Sequence, residues 1–149
     1  MVVGNKFQDL CTQLLVEGLG IRFMALGRSM YPTIREKDII TIAPIAPSEV
    51  KRGDIILYRS DSGIVAHRVL RVTTFQGTKN QFTMGPDTWG KPREVIGVEN
   101  VLGRVLHIER DGMRLDPYSA RAKVRLALHK IASRTKRLLR NPHPFGFRG

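Results

Sequence analysis

The chain has 149 residues, of which 42% are hydrophobic, and a formal net charge of +12. This length and composition predict one domain with a buried core and give no sign of a second domain of ordinary size. No apolar run approaches the roughly 18 to 20 residues that span a bilayer, and polar residues interrupt the first ten positions too early for a secretory signal. The single cysteine, Cys11, excludes an internal disulfide and is typical of a packed helix face.

The positive charge is concentrated at one end of the chain. Residues 118–149 contain nine Lys or Arg and no Asp or Glu, which leaves sixteen basic and thirteen acidic residues in 1–117. We therefore divide the chain into a nearly neutral body, 1–117, and a basic C-terminal extension, 118–149. Such an extension attracts anionic lipid, nucleic acid or an acidic protein patch, because long-range attraction is not chemically selective.

The first predicted element is a short amphipathic helix over about 5–18. Its apolar residues recur at helical spacing: Phe7, Leu10, Cys11, Leu14 and Leu15. Gly18 and Gly20 end it. The helix either packs on the body, which we favour, or lies on a membrane surface.

From residue 21 the pattern changes to short runs rich in β-branched and aromatic residues, separated by turn signals. The predicted strands are 21–26, 39–43, 54–59, 63–72, 81–84 and 100–109. Many short strands separated by turn residues predict a mainly β fold, in which an antiparallel sheet assembly is partly closed so that its edges are protected.

A basic amphipathic helix is predicted in the extension. Asp116 is the expected cap and Pro117 the first-turn residue, while Asn141-Pro142 marks the end. An apolar stripe runs between the arginines and lysines: Val124, Leu128, Ile131 and Leu138. The pattern leaves open whether this stripe packs on the sheet or meets a partner.

Two segments supply the parts of a nucleophilic site. Ser29 lies in Gly-Arg-Ser-Met-Tyr-Pro-Thr-Ile at 27–34, and His67 lies in Ala-His-Arg-Val at 66–69 within a predicted strand. A serine hydroxyl is a weak nucleophile near neutral pH unless a neighbouring group takes its proton, and an imidazole titrates in the useful range. Because side chains alternate along a strand, Arg68 is expected on the face opposite His67 in a structural role.

The block at 27–34 resembles the Gly-x-Ser-Met-x-Pro-Thr box of type I signal peptidases and of the related LexA-type self-cleaving proteases. Three further blocks, at 52–58, 66–70 and 101–105, resemble other boxes of this superfamily in the same order and at comparable spacing. The His-Arg-Val setting of His67 is similar to the histidine-type branch of archaea and the endoplasmic reticulum. The resemblance covers about residues 21–109.

The resemblance implies a serine endopeptidase with Ser29 as nucleophile and His67 as general base, which cleaves an extended peptide after small residues. Gly27 permits an unusual backbone conformation, and Pro32 stiffens the turn after the nucleophile. The Ser29 amide is the expected oxyanion donor, and Met30 is expected to line the pocket beside the scissile bond. We assign Ser29, Met30 and Gly27 to oxyanion and substrate binding.

The third catalytic residue follows less directly from the motif. In the histidine-type branch an aspartate follows a glycine, whereas here Pro86 follows Gly85 and the aspartate is Asp87. Asp87 is therefore expected either to hold the imidazole in one tautomer or to serve as a turn residue. Glu94 is the other candidate for this role.

Metal and cofactor chemistry are not expected. His107, His129, His143 and Cys11 show no metal-ligand spacing, and there is no glycine-rich phosphate or dinucleotide fingerprint. The expected partner is a peptide or protein substrate, and nucleic acid is disfavoured because no recognised helix motif or aromatic-basic RNA signature occurs.

Two alternatives remain. A LexA-type protein that cuts itself is disfavoured, since no Ala-Gly or Cys-Gly dipeptide occurs and Ala120-Arg121-Ala122 is the one weak site. The other alternative is a non-catalytic module that binds membrane or nucleic acid through its basic tail. We expect a cytoplasmic protein, with peripheral contact to anionic membrane as the preferred role of the tail.

Overall fold

The computed structural model describes residues 5–140. In the described chain, two helices flank a β-rich body with eight strands and two short 3₁₀ turns. In chain order the elements are α1 (Asn5–Val16), β1 (Ile21–Met24), β2 (Ile39–Pro44), a 3₁₀ turn (Pro47–Glu49), β3 (Ile55–Ser60), β4 (Gly63–Phe75), β5 (Thr78–Gly85), β6 (Glu94–Gly97), a 3₁₀ turn (Val98–Asn100), β7 (Val101–Arg110), β8 (Met113–Leu115) and α2 (Ala120–Arg140).

All strands of the described chain belong to one antiparallel sheet. The strand order is β1-β2-β7-β3-β4-β5-β6, and β8 pairs with β7. β3 lies at the centre and is buried on both faces, with 0% exposure from Ile55 to Tyr58. Its near-continuous apolar sequence reflects this position, because only strands covered on both sides lack a polar face.

Two core clusters lie on opposite faces of β3. Ile55 and Leu57 belong to the first cluster, which also contains Cys11 and Leu15 of α1. Ile56 and Tyr58 belong to the second. Successive side chains of a strand point to opposite faces, so β3 contributes alternately to each cluster. The expectation that α1 packs on the body is confirmed.

The predicted mainly β, antiparallel fold with a helix at each end is confirmed, and each of the six predicted strands has a counterpart. β6 and β8, of four and three residues, were missed, whereas β1, also of four residues, was predicted as part of the longer run 21–26. β4 and β5 are longer than predicted and meet at Gln76-Gly77, where both residues have positive φ, as a tight hairpin turn requires.

The predicted start of the C-terminal helix is wrong by a few residues. Asp116 accepts a hydrogen bond from the Tyr118 amide at 2.8 Å and so forms a turn before the helix. The cap is Ser119, whose Oγ accepts from the Ala122 amide at 3.2 Å. The predicted end at Asn141-Pro142 lies outside the described residues. Neither α1 nor α2 is long and apolar enough to cross a membrane.

The β4–β5 hairpin offers a matched test of the second core cluster. Phe82 is 0% exposed and Phe75, on the neighbouring strand, is 66% exposed. We expect Phe82→Ala to lower the free energy of unfolding by about 3–5 kcal/mol through lost burial and a cavity. Phe75→Ala should change it by less than about 0.5 kcal/mol. Urea denaturation measures both, and equal effects would contradict this packing.

Candidate active site

Ser29 lies in the turn that connects β1 to β2, and its side chain is half-buried. Gly27 enters the turn with φ of +86°, a conformation that L side chains rarely adopt. The Ile34 amide donates to the Met30 carbonyl at 2.9 Å, and Met30 is only 5% exposed within the first core cluster. The backbone on both sides of Ser29 is thus fixed by packing.

The loop after β5 is hydrogen-bonded to the backbone of the Ser29 turn. The Thr88 amide donates to the Ser29 carbonyl at 3.1 Å, and Thr88 Oγ1 donates to the Arg28 carbonyl at 2.6 Å. Within residues 5–140 the Ser29 amide itself donates no hydrogen bond. That amide is therefore free of a described acceptor, and its role as an oxyanion donor stays a prediction.

Asp87 lies at the centre of a buried ion pair. Arg68 binds it in bidentate fashion, with both nitrogen–oxygen distances at 2.8 Å, and Thr33 Oγ1 donates to the same carboxylate at 2.6 Å. Arg68 also donates to the Gly53 carbonyl at 2.8 Å. Asp87 is 1% exposed, so this cluster joins the Ser29 turn, the loop after β5 and strand β4 in a dry environment.

His67 belongs to a different polar network. Its Nδ1 lies 3.0 Å from the Tyr58 hydroxyl, which donates to Glu94 at 2.8 Å. Glu94 also accepts from Ser60 Oγ at 2.8 Å. Because the single proton of Tyr58 goes to Glu94, the Tyr58 oxygen accepts from Nδ1–H of the imidazole. This assigns the tautomer in which Nδ1 carries the proton and Nε2 carries the lone pair.

The environment of this network determines its protonation. Burial lowers the pKa of His67 below its ordinary value, although the carboxylates of Glu94 and Asp87 act in the opposite direction. Burial, reinforced by the hydrogen bond to Glu94, raises the pKa of Tyr58 far above its ordinary value. At neutral pH the imidazole is therefore an uncharged base, and the Tyr58 hydroxyl keeps its proton.

A small apolar pocket of about 30 Å³ lies between the Ser29 turn and β4. Its lining includes Gly27, Ser29 and Met30 on one side and Val65 and Ala66 on the other. β4 pairs with β3 over its first residues, whereas β5 pairs with β4 only from Arg68 onward. Among the described strands, the pocket therefore borders a segment of β4 whose second edge, at residues 63–67, has no strand partner.

Among the described residues, Ser29, His67 and Asp87 do not form one hydrogen-bonded network. Ser29 lines the same pocket as Val65 and Ala66, whereas His67 points to the face of β4 that holds Tyr58, and in the part of the chain that the structure describes no hydrogen bond joins Ser29 Oγ to the imidazole. Catalytic hydrogen bonds are often long before substrate binds. The carboxylate of Asp87 is bound by Arg68 and Thr33, and the position beside Nδ1 is taken by Tyr58.

The sequence analysis did not identify Tyr58 as a site residue, although the pairing of the β3–β4 hairpin could have indicated it. In the β3–β4 hairpin Tyr58 pairs with Val65, so His67 is its diagonal neighbour on the same face. Glu94, the other predicted candidate for the residue that orients the imidazole, lies on β6 and accepts a hydrogen bond from Tyr58. As the strand alternation predicts, Arg68 points to the other face, toward Asp87.

Between residues 5 and 140, no group of three or more His, Cys, Asp and Glu side chains is arranged to hold a metal ion. No protein family model matches the chain, and no curated protein matches it.

The ion pair of Asp87 makes a testable prediction for stability. Asp87→Ala leaves the Arg68 guanidinium buried without a counterion, so we expect the free energy of unfolding to fall by about 3–5 kcal/mol. Glu109→Ala removes an exposed partner of Arg22 and serves as the control, with a much smaller expected effect. Urea denaturation of the three proteins decides this, and equal midpoints for Asp87→Ala and the parent would refute it.

Proposed function

We propose that the protein is a serine endopeptidase in which Ser29 is the nucleophile and His67 the general base. The observation that carries the proposal is the hydrogen-bond chain from His67 through Tyr58 to Glu94, because it leaves imidazole Nε2 unprotonated. The resemblance of 27–34, 52–58, 66–70 and 101–105 to signal-peptidase-like enzymes supports the same reaction.

In the proposed mechanism Ser29 Oγ attacks the scissile carbonyl while His67 Nε2 accepts its proton. The Ser29 amide donates to the carbonyl oxygen as it becomes an oxyanion. The imidazolium that forms is stabilised by Glu94 through the Tyr58 hydroxyl, and it then gives its proton to the leaving amine. Water activated by the same imidazole hydrolyses the acyl-enzyme and restores Ser29.

The proposed substrate is an extended peptide. No described strand pairs with the second edge of β4 at residues 63–67, so a peptide strand can add there through main-chain hydrogen bonds. The neighbouring pocket is small, about 30 Å³, and is lined mainly by apolar side chains. The unpaired edge favours an extended peptide, and the small pocket favours a small residue before the cleaved bond.

Self-cleavage is not favoured by the position of the one weak candidate site. Ala120 and Ala122 lie in the first turn of α2, and Ser119 caps that turn. A strand-adding protease needs an extended substrate, so this segment would have to unwind first.

The central prediction concerns the nucleophile. Ser29→Ala and His67→Ala should each reduce cleavage of a peptide library by at least about a hundredfold, because attack needs both the hydroxyl and its base. Ser62→Ala, in the exposed β3–β4 turn, is the matched control and should cut like the parent. Mass spectrometry of the digests measures all four proteins, and undiminished cleavage by Ser29→Ala would remove the proposal.

The polar chain behind the imidazole predicts a pH effect. Since burial lowers the pKa of His67 below 6.5, the acid limb of kcat/KM should have its midpoint below that pH. Glu94→Gln removes a charge that raises this pKa, so the limb should move to still lower pH while kcat falls roughly ten- to a hundredfold.

The control for this prediction is Glu99→Gln, an exposed residue in the following 3₁₀ turn, whose profile should match the parent. A Glu94→Gln variant that lost activity with an unmoved acid limb would show that Glu94 does not act through His67. Tyr58→Phe should lose kcat as well, because Nδ1 then has no acceptor to fix the tautomer.

A further inference from the structure

The outer face of α2 is apolar although it points away from the sheet. Five large aliphatic side chains on it are 58% to 78% exposed: Val124, Leu128, Ile131, Leu138 and Leu139. At 3.6 residues per turn they form one stripe about 22 Å long. Thr135 interrupts this stripe between Ile131 and Leu138, but a row of five exposed aliphatic side chains on one helix face still indicates an interaction site.

Contacts on the inner side fix which face points outward. The His129 ring packs edge-on against Tyr31 with centroids 5.2 Å apart, and the Arg134 guanidinium lies 4.7 Å above the Trp89 ring. His129 is about 160° around the helix from Ile131. The helix is thus held against the body near the Ser29 turn while its apolar stripe stays exposed.

The charge of α2 distinguishes among the partners that could cover this face. The helix has no acidic residue and eight basic ones: Arg121, Lys123, Arg125, Lys130, Arg134, Lys136, Arg137 and Arg140. A second copy docked on the same stripe would bring two such sets of positive charge together. Nucleic acid would satisfy the cations but would gain nothing from the aliphatic side chains.

We propose that this outer face binds the surface of an anionic lipid bilayer. The helix lies in the plane of the headgroups, where Leu128, Ile131 and their neighbours enter the acyl boundary. Lysine and arginine side chains on both flanks extend their aliphatic stems along the apolar layer and place their charges among lipid phosphates. This inference does not depend on the proposed peptidase activity.

The test is cosedimentation of the full chain with vesicles of phosphatidylcholine alone or mixed with phosphatidylglycerol. We expect binding to the mixed vesicles, weakening as salt is raised, and much less binding to the neutral ones. The double substitution Leu128→Asp with Ile131→Asp should lower the partition coefficient at least about tenfold. Both residues are at least 60% exposed, so circular dichroism should report an unchanged fold.

Two controls test whether binding depends on this surface rather than on any exposed apolar residue or on the proposed catalytic site. Phe75→Asp with Met113→Asp changes two sheet residues that are each 66% exposed and should bind like the parent. Ser29→Ala should also bind like the parent. A charge variant, Lys136→Gln with Arg137→Gln, should bind several-fold more weakly at low salt without altering the stripe.

Three outcomes would overturn the inference. The first is no binding of the parent to phosphatidylglycerol vesicles. The second is equal binding by the parent and the Leu128→Asp, Ile131→Asp protein, which would mean that the stripe stays outside the bilayer. The third is a dimer in analytical ultracentrifugation that these two substitutions dissociate, because a second copy would then cover the face.

Discussion

The buried ion pair between Arg68 and Asp87 is the constraint on which the candidate site depends. Asp87 accepts hydrogen bonds from two nitrogens of the Arg68 guanidinium and from the Thr33 hydroxyl, so β4, the loop after β5 and the Ser29 turn meet at one carboxylate. A buried charge is costly unless it is paired, and the desolvation cost makes any arrangement that separates these segments unfavourable. Asp38 with Arg110, and Asp54 with Arg104, join other turns to β7 in the same way.

Two adjacent residues of β4 serve two networks because a strand alternates its side chains. Arg68 points toward Asp87 and fixes the backbone of the site, while His67 points toward Tyr58 and Glu94, which fix the imidazole. One strand therefore sets both the position and the tautomer of the proposed base. A one-residue slip in the register of β3 and β4 would exchange the two faces and destroy both networks.

Periodicity and turn chemistry in the sequence were sufficient for most strands and for α1, since these signals are local. Short elements such as β6 carry too few residues to show a period. In the site, the motif around Ser29 and the strand around His67 were visible in the sequence. The ion pair between Asp87 and Arg68 was not visible in the sequence, because these two residues come together only when β4 and β5 pair. Tyr58 was not recognised as a site residue because it lies in an apolar strand, where an aromatic side chain is expected to belong to the hydrophobic core.

The hydroxyl between His67 and Glu94 changes how the proposed base is tuned. A carboxylate bound directly to an imidazole raises its pKa strongly, whereas here the charge acts from one residue farther away and burial prevails, so the pKa of His67 is lowered. The base is then unprotonated over a wider pH range, but each proton it accepts is bound less tightly. Stabilisation of the imidazolium must come from Glu94 through the Tyr58 hydroxyl, whose own pKa is raised so far that it remains a donor. The polar chain therefore acts mainly on the tautomer of His67, by keeping the proton on Nδ1, and only weakly on the proton affinity of the imidazole.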